Sequence, residues 1–413
     1  MKSSWQNYPK KPSIRPASSR SPGEQFNLKV LHVSPSFYPA GHYGGPTASS
    51  YGLCNAVARM PGIEVRVLTT DSDGPRRIDV KSLKLPEGYD VYYCRRWFSA
   101  QLAPRMFWRL PRMIRWADVI HLTAVYSPPT IPTLFFCRLL GKPVMWSTRG
   151  ALQSWRERSR KRLKSVWEKT CDLFCRPERV MLHLTSEQEE TESVERIKHA
   201  SAVVISNGIE SPMTNGNQRH RTDDSLRLLY LGRLHPIKGI ENLLQAMATM
   251  VNGVTLSVCG EGEADYQAHL KSLAAELDLT KRVTFYGRVD GEAKEQQFAD
   301  ADVCIVPSFT ENFGNVVAEA LARGVPVIAS KGTPWARVRE FNCGLWVDND
   351  PATLVRAIQQ AQVMPLREMG ERGRQWMQRE FSWPSIAAQM IQQYETLIET
   401  NRHQTTRDQL ARV

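Results

Sequence analysis

The chain has 413 residues, a mass of 47.0 kDa, 42% hydrophobic and 23% charged residues, which are ordinary globular values with room for two domains of about 180 residues each. No apolar run reaches the roughly 18 residues needed to cross a bilayer; the most apolar stretch, 130–146, is interrupted by Arg138 and Lys142. The net charge of +12 is uneven: residues 1–206 hold 32 Lys and Arg against 17 Asp and Glu (+15), and residues 207–413 hold 22 against 25 (−3).

Taken in chain order, residues 1–26 are rich in Pro, Ser, Lys and Arg without an apolar core, and read as a loose basic tail rather than a signal peptide. A first strand, 28–34, runs into a glycine-rich turn with Gly41, Gly44 and Gly45 and then a helix over 47–60. Strands follow at 63–70, 118–122, 143–147, 180–184 and 202–206, alternating with helices. The second half repeats the scheme with strands at 226–231, 254–259, 282–286, 303–307 and 325–329. Such alternation implies parallel sheets. Phe381-Ser-Trp383-Pro384 breaks the chain, and the periodic helix after it, within 383–400, is expected to cross back onto the first domain. The domain bounds expected are 27–206 and 207–382, with 401–413 as a second tail. The eight cysteines are scattered, and Cys171 and Cys175 have no second pair or His cluster nearby, so reduced thiols in a cytoplasmic setting are expected rather than a metal site.

Two segments carry chemistry. The first is Glu311-Asn312-Phe313-Gly314-Asn315, leaving a strand and entering a helix that also carries Glu319 and stops at Gly324. Ligands of parallel sheets bind at the carboxyl ends of the strands. The open N–H groups and positive dipole end of that helix suit phosphate. A carboxylate beside a phosphate site repels phosphate, so Glu311 and Glu319 point to sugar hydroxyls. The second segment is Gly232-Arg233-Leu-His-Pro-Ile-Lys238-Gly239, where two cations on a glycine-bounded strand-to-helix loop can converge on a diphosphate.

These two segments resemble the donor-site motifs of retaining glycosyltransferases of family 4, which have the GT-B fold: two Rossmann-like α/β domains facing each other across a cleft. The resemblance covers roughly 28–400. It implies that Arg233, Lys238 and Glu311 carry the reaction, and that Gly44, Gly45, Gly232, Val289, Asn312, Phe313, Gly314, Asn315 and Glu319 bind the donor, a UDP- or GDP-sugar, with no metal or further cofactor. Val204-Ile-Ser-Asn207-Gly208-Ile209 resembles the family's interdomain connection, and Phe285-Tyr-Gly287-Arg288-Val289 the turn beside the nucleotide base. On the acceptor side, His121 and Thr123 end a strand near the cleft. The family often has a second His where Thr123 stands, which leaves a core role for His121 equally open. Arg149, in Trp146-Ser-Thr-Arg-Gly-Ala-Leu, is similar to a segment of polysaccharide-building members and is an acceptor candidate. Asp71-Ser-Asp73 looks like a metal clamp but falls in what reads as a solvated turn.

Two basic segments, 105–116 and 155–175, hold much of the first half's charge. In the second, Leu152, Trp155, Leu163, Val166, Trp167, Leu173 and Phe174 recur at helical spacing opposite the cations. That pattern fits either a helix packed on its own domain or one offered to an anionic membrane surface. No nucleic-acid module accompanies these residues, so no nucleic-acid partner is expected. The activity implied is sugar transfer to a saccharide or lipid-linked acceptor in cell-envelope polysaccharide or lipopolysaccharide-type assembly, at the inner face of the membrane. Transfer to a small soluble acceptor and a catalytically silent nucleotide-sugar binder remain open alternatives.

Overall fold

The computed structural model describes residues 27–81, 83, 88–97, 101–153, 161–210, 225–250 and 253–410. The expected basic tail 1–26, the start of the basic helix including Trp155, and residues 411–413 lie outside them. The first half runs β1 (Leu28–Val33), α1 (Gly45–Ala58), β2 (Ile63–Thr70), a two-residue hairpin of β3 (Ser72–Asp73) and β4 (Arg76–Arg77), and β5 (Asp90–Cys94). It continues with α2 (Pro104–Trp116), β6 (Val119–Thr123), α3 (Thr130–Leu139), β7 (Val144–Ser147), α4 (Lys161–Phe174), β8 (Val180–Leu184), α5 (Glu187–Val194) and β9 (Ser201–Val204).

The second half runs β10 (Leu226–Leu231), α6 (Ile240–Thr249), β11 (Val254–Cys259), α7 (Ala264–Glu276), β12 (Val283–Gly287) and α8 (Gly291–Asp300). Then come β13 (Val303–Val306), α9 (Asn315–Ala322), β14 (Val327–Ser330), β15 (Gly344–Val347), α10 (Pro351–Val363), α11 (Leu366–Glu380) and α12 (Trp383–Leu410).

The first sheet has the order β5-β2-β1-β6-β7-β8-β9 and the second β12-β11-β10-β13-β14-β15, every pairing parallel. Strands buried on both faces read as continuous apolar runs, and Val303-Cys-Ile-Val306 and Val327-Ile-Ala-Ser330 are fully buried. This is the GT-B arrangement. Each sheet reverses its strand order once, between β1 and β6 and between β10 and β13, and ligands bind at such switch points.

Besides the short β3–β4 hairpin, two strands, β5 and β15, are not among those expected from the sequence. Both are sheet edges, where one-sided pairing weakens the pattern, and β15 begins on glycine. α12 is longer than expected, continuing to Leu410, so 401–410 is helix and not tail. It does cross back: Met390, Tyr394 and Leu397 share a core with Leu53 and Val57 of α1. Its first residue, Trp383, is wedged between Gly52 and Gly208. A Cβ on either glycine would lie 2.1 or 2.2 Å from the indole, so no larger residue fits at either place without displacing the helix start.

Candidate active site

The β10–α6 and β13–α9 loops leave adjacent strands at the switch point of the second sheet, and Phe309 N donates to Ile237 O at 2.8 Å to tie them together. Within this pair the Lys238 ammonium contacts the Glu311 carboxylate, which also accepts from Ser308 Oγ at 2.8 Å. Both side chains are less than one-fifth exposed. Arg233 is exposed on the same loop. Below them lies the buried Tyr230 phenol, whose pKa burial pushes well up; Glu311 pushes it further and Arg233 opposes, so both charges are felt at one oxygen.

Phe313 is buried against Trp335 and Phe381, with ring centroids at 5.2 and 6.2 Å, and its carbonyl accepts from the Trp335 indole. The aromatic anchor fixes the turn into α9. Gly314 occupies the left-handed region (φ 75°, ψ 59°) at the N-cap, and no side chain caps the helix, which leaves first-turn N–H groups open to an anion. Across the cleft, α1 also starts on a glycine N-cap, Gly44, without a side-chain cap. A Cβ on Gly45 would lie 3.0 Å from Asn315 Nδ2, and one on Gly41 3.2 Å from an Arg288 guanidinium nitrogen. Two uncapped helix starts thus face each other. Glu319, one turn into α9, pairs with Lys294 at 2.8 Å, a partner in α8 that the motif itself does not contain. Val289, in the turn after β12, is half-buried and packs on the second domain's core, while Gly232 follows β10 with a φ of 158° and donates to Cys259 O at 2.9 Å.

The two halves are laced together by side chains. Asn312 Nδ2 donates to Thr185 Oγ1 and Asn207 Nδ2 to Asn315 Oδ1, each at 3.0 Å. Arg149 is buried with a positive φ of 52° and donates to Asn207 Oδ1. Burial lowers its pKa, and Glu189 opposes that. Glu189, itself fully buried, accepts from Thr148 Oγ1, Gly150 N, Thr185 N and Thr185 Oγ1. One carboxylate therefore holds both N-terminal loops that touch Asn312.

His121 and Thr123 lie in the core. His121 is fully buried, and both ring nitrogens are taken, Nδ1 by Tyr394 at 2.6 Å and Nε2 by Ser147 at 2.7 Å. It therefore has no free atom for an acceptor. Thr123 is likewise buried, 3.2 Å from His32 Nε2. The chain of bonds continues from Ser147 Oγ to His183 Nδ1 (2.6 Å) and from His183 Nε2 to Ile205 O (2.9 Å). A carbonyl only accepts, so His183 carries its proton on Nε2 and Ser147 donates to Nδ1. Ser147 then accepts from His121 Nε2, and Tyr394 donates to His121 Nδ1. Every bond is satisfied with neutral imidazoles, and burial, with Arg149 adding, pushes the pKa values of His32 and His183 down to about 3. Nothing in the sequence joins these residues, because Tyr394 and His121 stand 273 positions apart.

Asp71 is not a solvated turn: it is buried and accepts from Arg96 N at 2.8 Å, while Asp73 accepts from His42 N at 2.8 Å. The eight cysteines are all buried and unbridged.

A family model described as Glycosyltransferase Family 4 matches residues 43–211, and one described as Glycosyl transferases group 1 matches 214–376. A D-inositol 3-phosphate glycosyltransferase of Corynebacterium efficiens is 32% identical over 216 residues, 46% of this chain and 50% of the relative. The chain spans about half the length or less of the curated relatives it matches. Among solved structures, sucrose-phosphate synthase of Thermosynechococcus elongatus superposes with a TM-score of 0.70 at 23% identity, covering 90% of this chain and 100% of the other. HepE of Anabaena, in complex with UDP-glucose, gives 0.67 at 18%, again covering 90% and 100%. With both halves matched in order and the two-sheet fold shared, the chain belongs to the family 4-type glycosyltransferases of the GT-B fold.

Proposed function

We propose that the chain moves a hexose-type sugar from a UDP- or GDP-sugar to a hydroxyl of a saccharide or lipid-linked acceptor in cell-envelope polysaccharide or glycolipid assembly, at the inner face of the membrane. Anomeric configuration is retained and no metal ion or other cofactor takes part. The observation that carries this reading is the Lys238–Glu311 contact at the switch point of the second sheet, beside two uncapped helix starts. A diphosphate offers anionic oxygens to Lys238, Arg233 and the helix N–H groups, and the sugar offers hydroxyls to Glu311. A donor thus gives each member of the ion pair a partner matched to its charge. Glu319 receives the ribose hydroxyls.

In the reaction the bond between the anomeric carbon and the diphosphate oxygen breaks, and the electron pair leaves with the nucleoside diphosphate. The acceptor oxygen bonds to the same face of the sugar, and its proton passes to the departing phosphate oxygen. Charge grows on the diphosphate as the bond stretches, so Lys238, Arg233 and the helix starts bind the transition state more tightly than the donor. The Asn312–Thr185 and Asn207–Asn315 links close the cleft against water, which otherwise hydrolyses the donor.

The test is a transfer and donor-hydrolysis assay over a panel of UDP- and GDP-sugars, with product stereochemistry read by proton NMR. Turnover of at least one donor with retained configuration is expected. Inverted product contradicts the mechanism, and binding without turnover of any donor favours a silent nucleotide-sugar binder. A second reading, transfer to a small soluble acceptor, draws support from the Corynebacterium relative named for D-inositol 3-phosphate; turnover with soluble sugar phosphates decides for it.

A further inference from the structure

The inner sides of α2, α3 and α4 cover one face of the first sheet together, giving Met106, Leu110, Leu134, Cys137 and Cys171 to a single core. Their outer sides are therefore one continuous surface. α4 is seated differently from the sequence expectation. Its buried face is Glu168 and Cys171, with Glu168 accepting from Tyr126 and pairing with Arg196 at 3.3 Å, and with the half-buried Trp167 donating to Val125 O at 2.9 Å. The aliphatic stripe Leu163, Val166 and Leu173 is left pointing outwards, 61%, 61% and 68% exposed.

Spacings of three and seven residues keep those side chains on one line along the helix. Phe135 and Leu139, four apart on α3, are 43% and 68% exposed. The two helices join at this surface: the Phe135 and Phe174 rings are 5.6 Å apart, and Arg138 donates to Leu173 O at 3.1 Å. On α2, Trp108 is 86% exposed and lies within one turn of the exposed Arg105 and Arg112, in a helix that has no acidic residue. On α4, Arg162 and Lys169 are exposed, whereas its acids Glu168 and Asp172 are paired with Arg196 and His199.

We infer that this three-helix face docks onto an anionic lipid bilayer, with Leu139, Leu163, Val166, Leu173 and Trp108 entering the headgroup region and the surrounding Arg and Lys meeting lipid phosphates. A second copy of the chain placed two-fold on the same face brings like charges together. A nucleic acid gains from stacked aromatics, but most of the exposed apolar residues here are aliphatic. Exposed aliphatics ringed by cations match the apolar and anionic layers of a lipid surface. The inference stands on this surface alone and does not depend on the transfer reaction.

The full chain is floated with vesicles of phosphatidylcholine alone and of phosphatidylcholine with phosphatidylglycerol. Binding to the anionic vesicles, weakened by salt and absent from the neutral ones, is expected. Two surface variants, one combining Leu163→Ser, Val166→Ser and Leu173→Ser, the other Arg105→Gln, Trp108→Ser and Arg112→Gln, are each expected to lower partitioning by at least about tenfold. Their melting temperature and hydrolysis of soluble donor are expected to stay unchanged. Equal partitioning of wild type and both variants, equal binding to neutral vesicles, or a single-stranded oligonucleotide binding where vesicles do not, overturns the inference. So does self-association abolished by either variant in the absence of lipid.

Discussion

The two walls of the cleft are built on opposite principles. The wall of the second sheet presents charges that pair with each other, Lys238 with Glu311 and Lys294 with Glu319, all partly exposed. On the first sheet the histidine network is neutral and closed: Tyr394, His121, Ser147 and His183 are buried and bonded in series, and His32 lies against Thr123. In the proposed reading the second wall recognises the charged donor. The first wall keeps shape, and its hydrogen bonds run from the crossover helix α12 to Ile205, at the head of the interdomain connection. Both tethers between the halves thus end in a single network.

The largest effect tests the charged wall. Lys238→Ala removes the cation proposed to stabilise the leaving diphosphate and is expected to lower kcat by about 10² to 10³-fold, read in a transfer assay with folding checked by circular dichroism. Glu189→Ala probes the first half where it meets the second. Four donors lose their acceptor in a dry site, so about 3 kcal/mol or more of stability is expected to go, measured by chemical denaturation.

The histidine network sets a pH dependence. His32 and His183 titrate at about 3 when folded, against the ordinary histidine value of 6.5 for the unfolded chain, so between those values the unfolded chain binds more protons. Stability is unaffected above pH 6.5 and falls as the pH drops below it, by up to about 1.4 kcal/mol per pH unit for each histidine. Thermal melts between about pH 7 and pH 5 check this, and a His183→Gln variant is expected to show a shallower fall. The smallest effect belongs to Asn312→Ala. Losing its bond to Thr185 is expected to cost about 1 kcal/mol, read as weaker closure in small-angle scattering with donor present.

The charged wall is legible in the sequence because its parts are contiguous. Glu311 to Glu319, and Gly232 to Gly239, each fall on one strand-to-helix connection, where spacing alone puts the groups together. Lys294 is not legible, since its meeting with Glu319 depends on how α8 packs beside α9. The histidine network is hidden for the same reason, more strongly: four strands and the last helix bring its members together. His121 is visible as a strand-end residue, but only the packing of α12 shows that Tyr394 occupies its ring nitrogen. The stripe of α4 is visible as a period, and its outward direction is decided by the buried Glu168, whose partners Tyr126 and Arg196 lie on other segments.

Calorimetric binding of UDP or GDP, and of the matching nucleotide sugar, to wild type, Lys238→Ala and Glu311→Gln bears most directly on the division of labour at the charged wall. Lys238→Ala is expected to weaken both ligands. Glu311→Gln is expected to keep nucleotide affinity, because Lys238 is released from its ion pair, while losing the gain that the sugar confers. Unchanged affinity of both ligands in both variants would contradict the account.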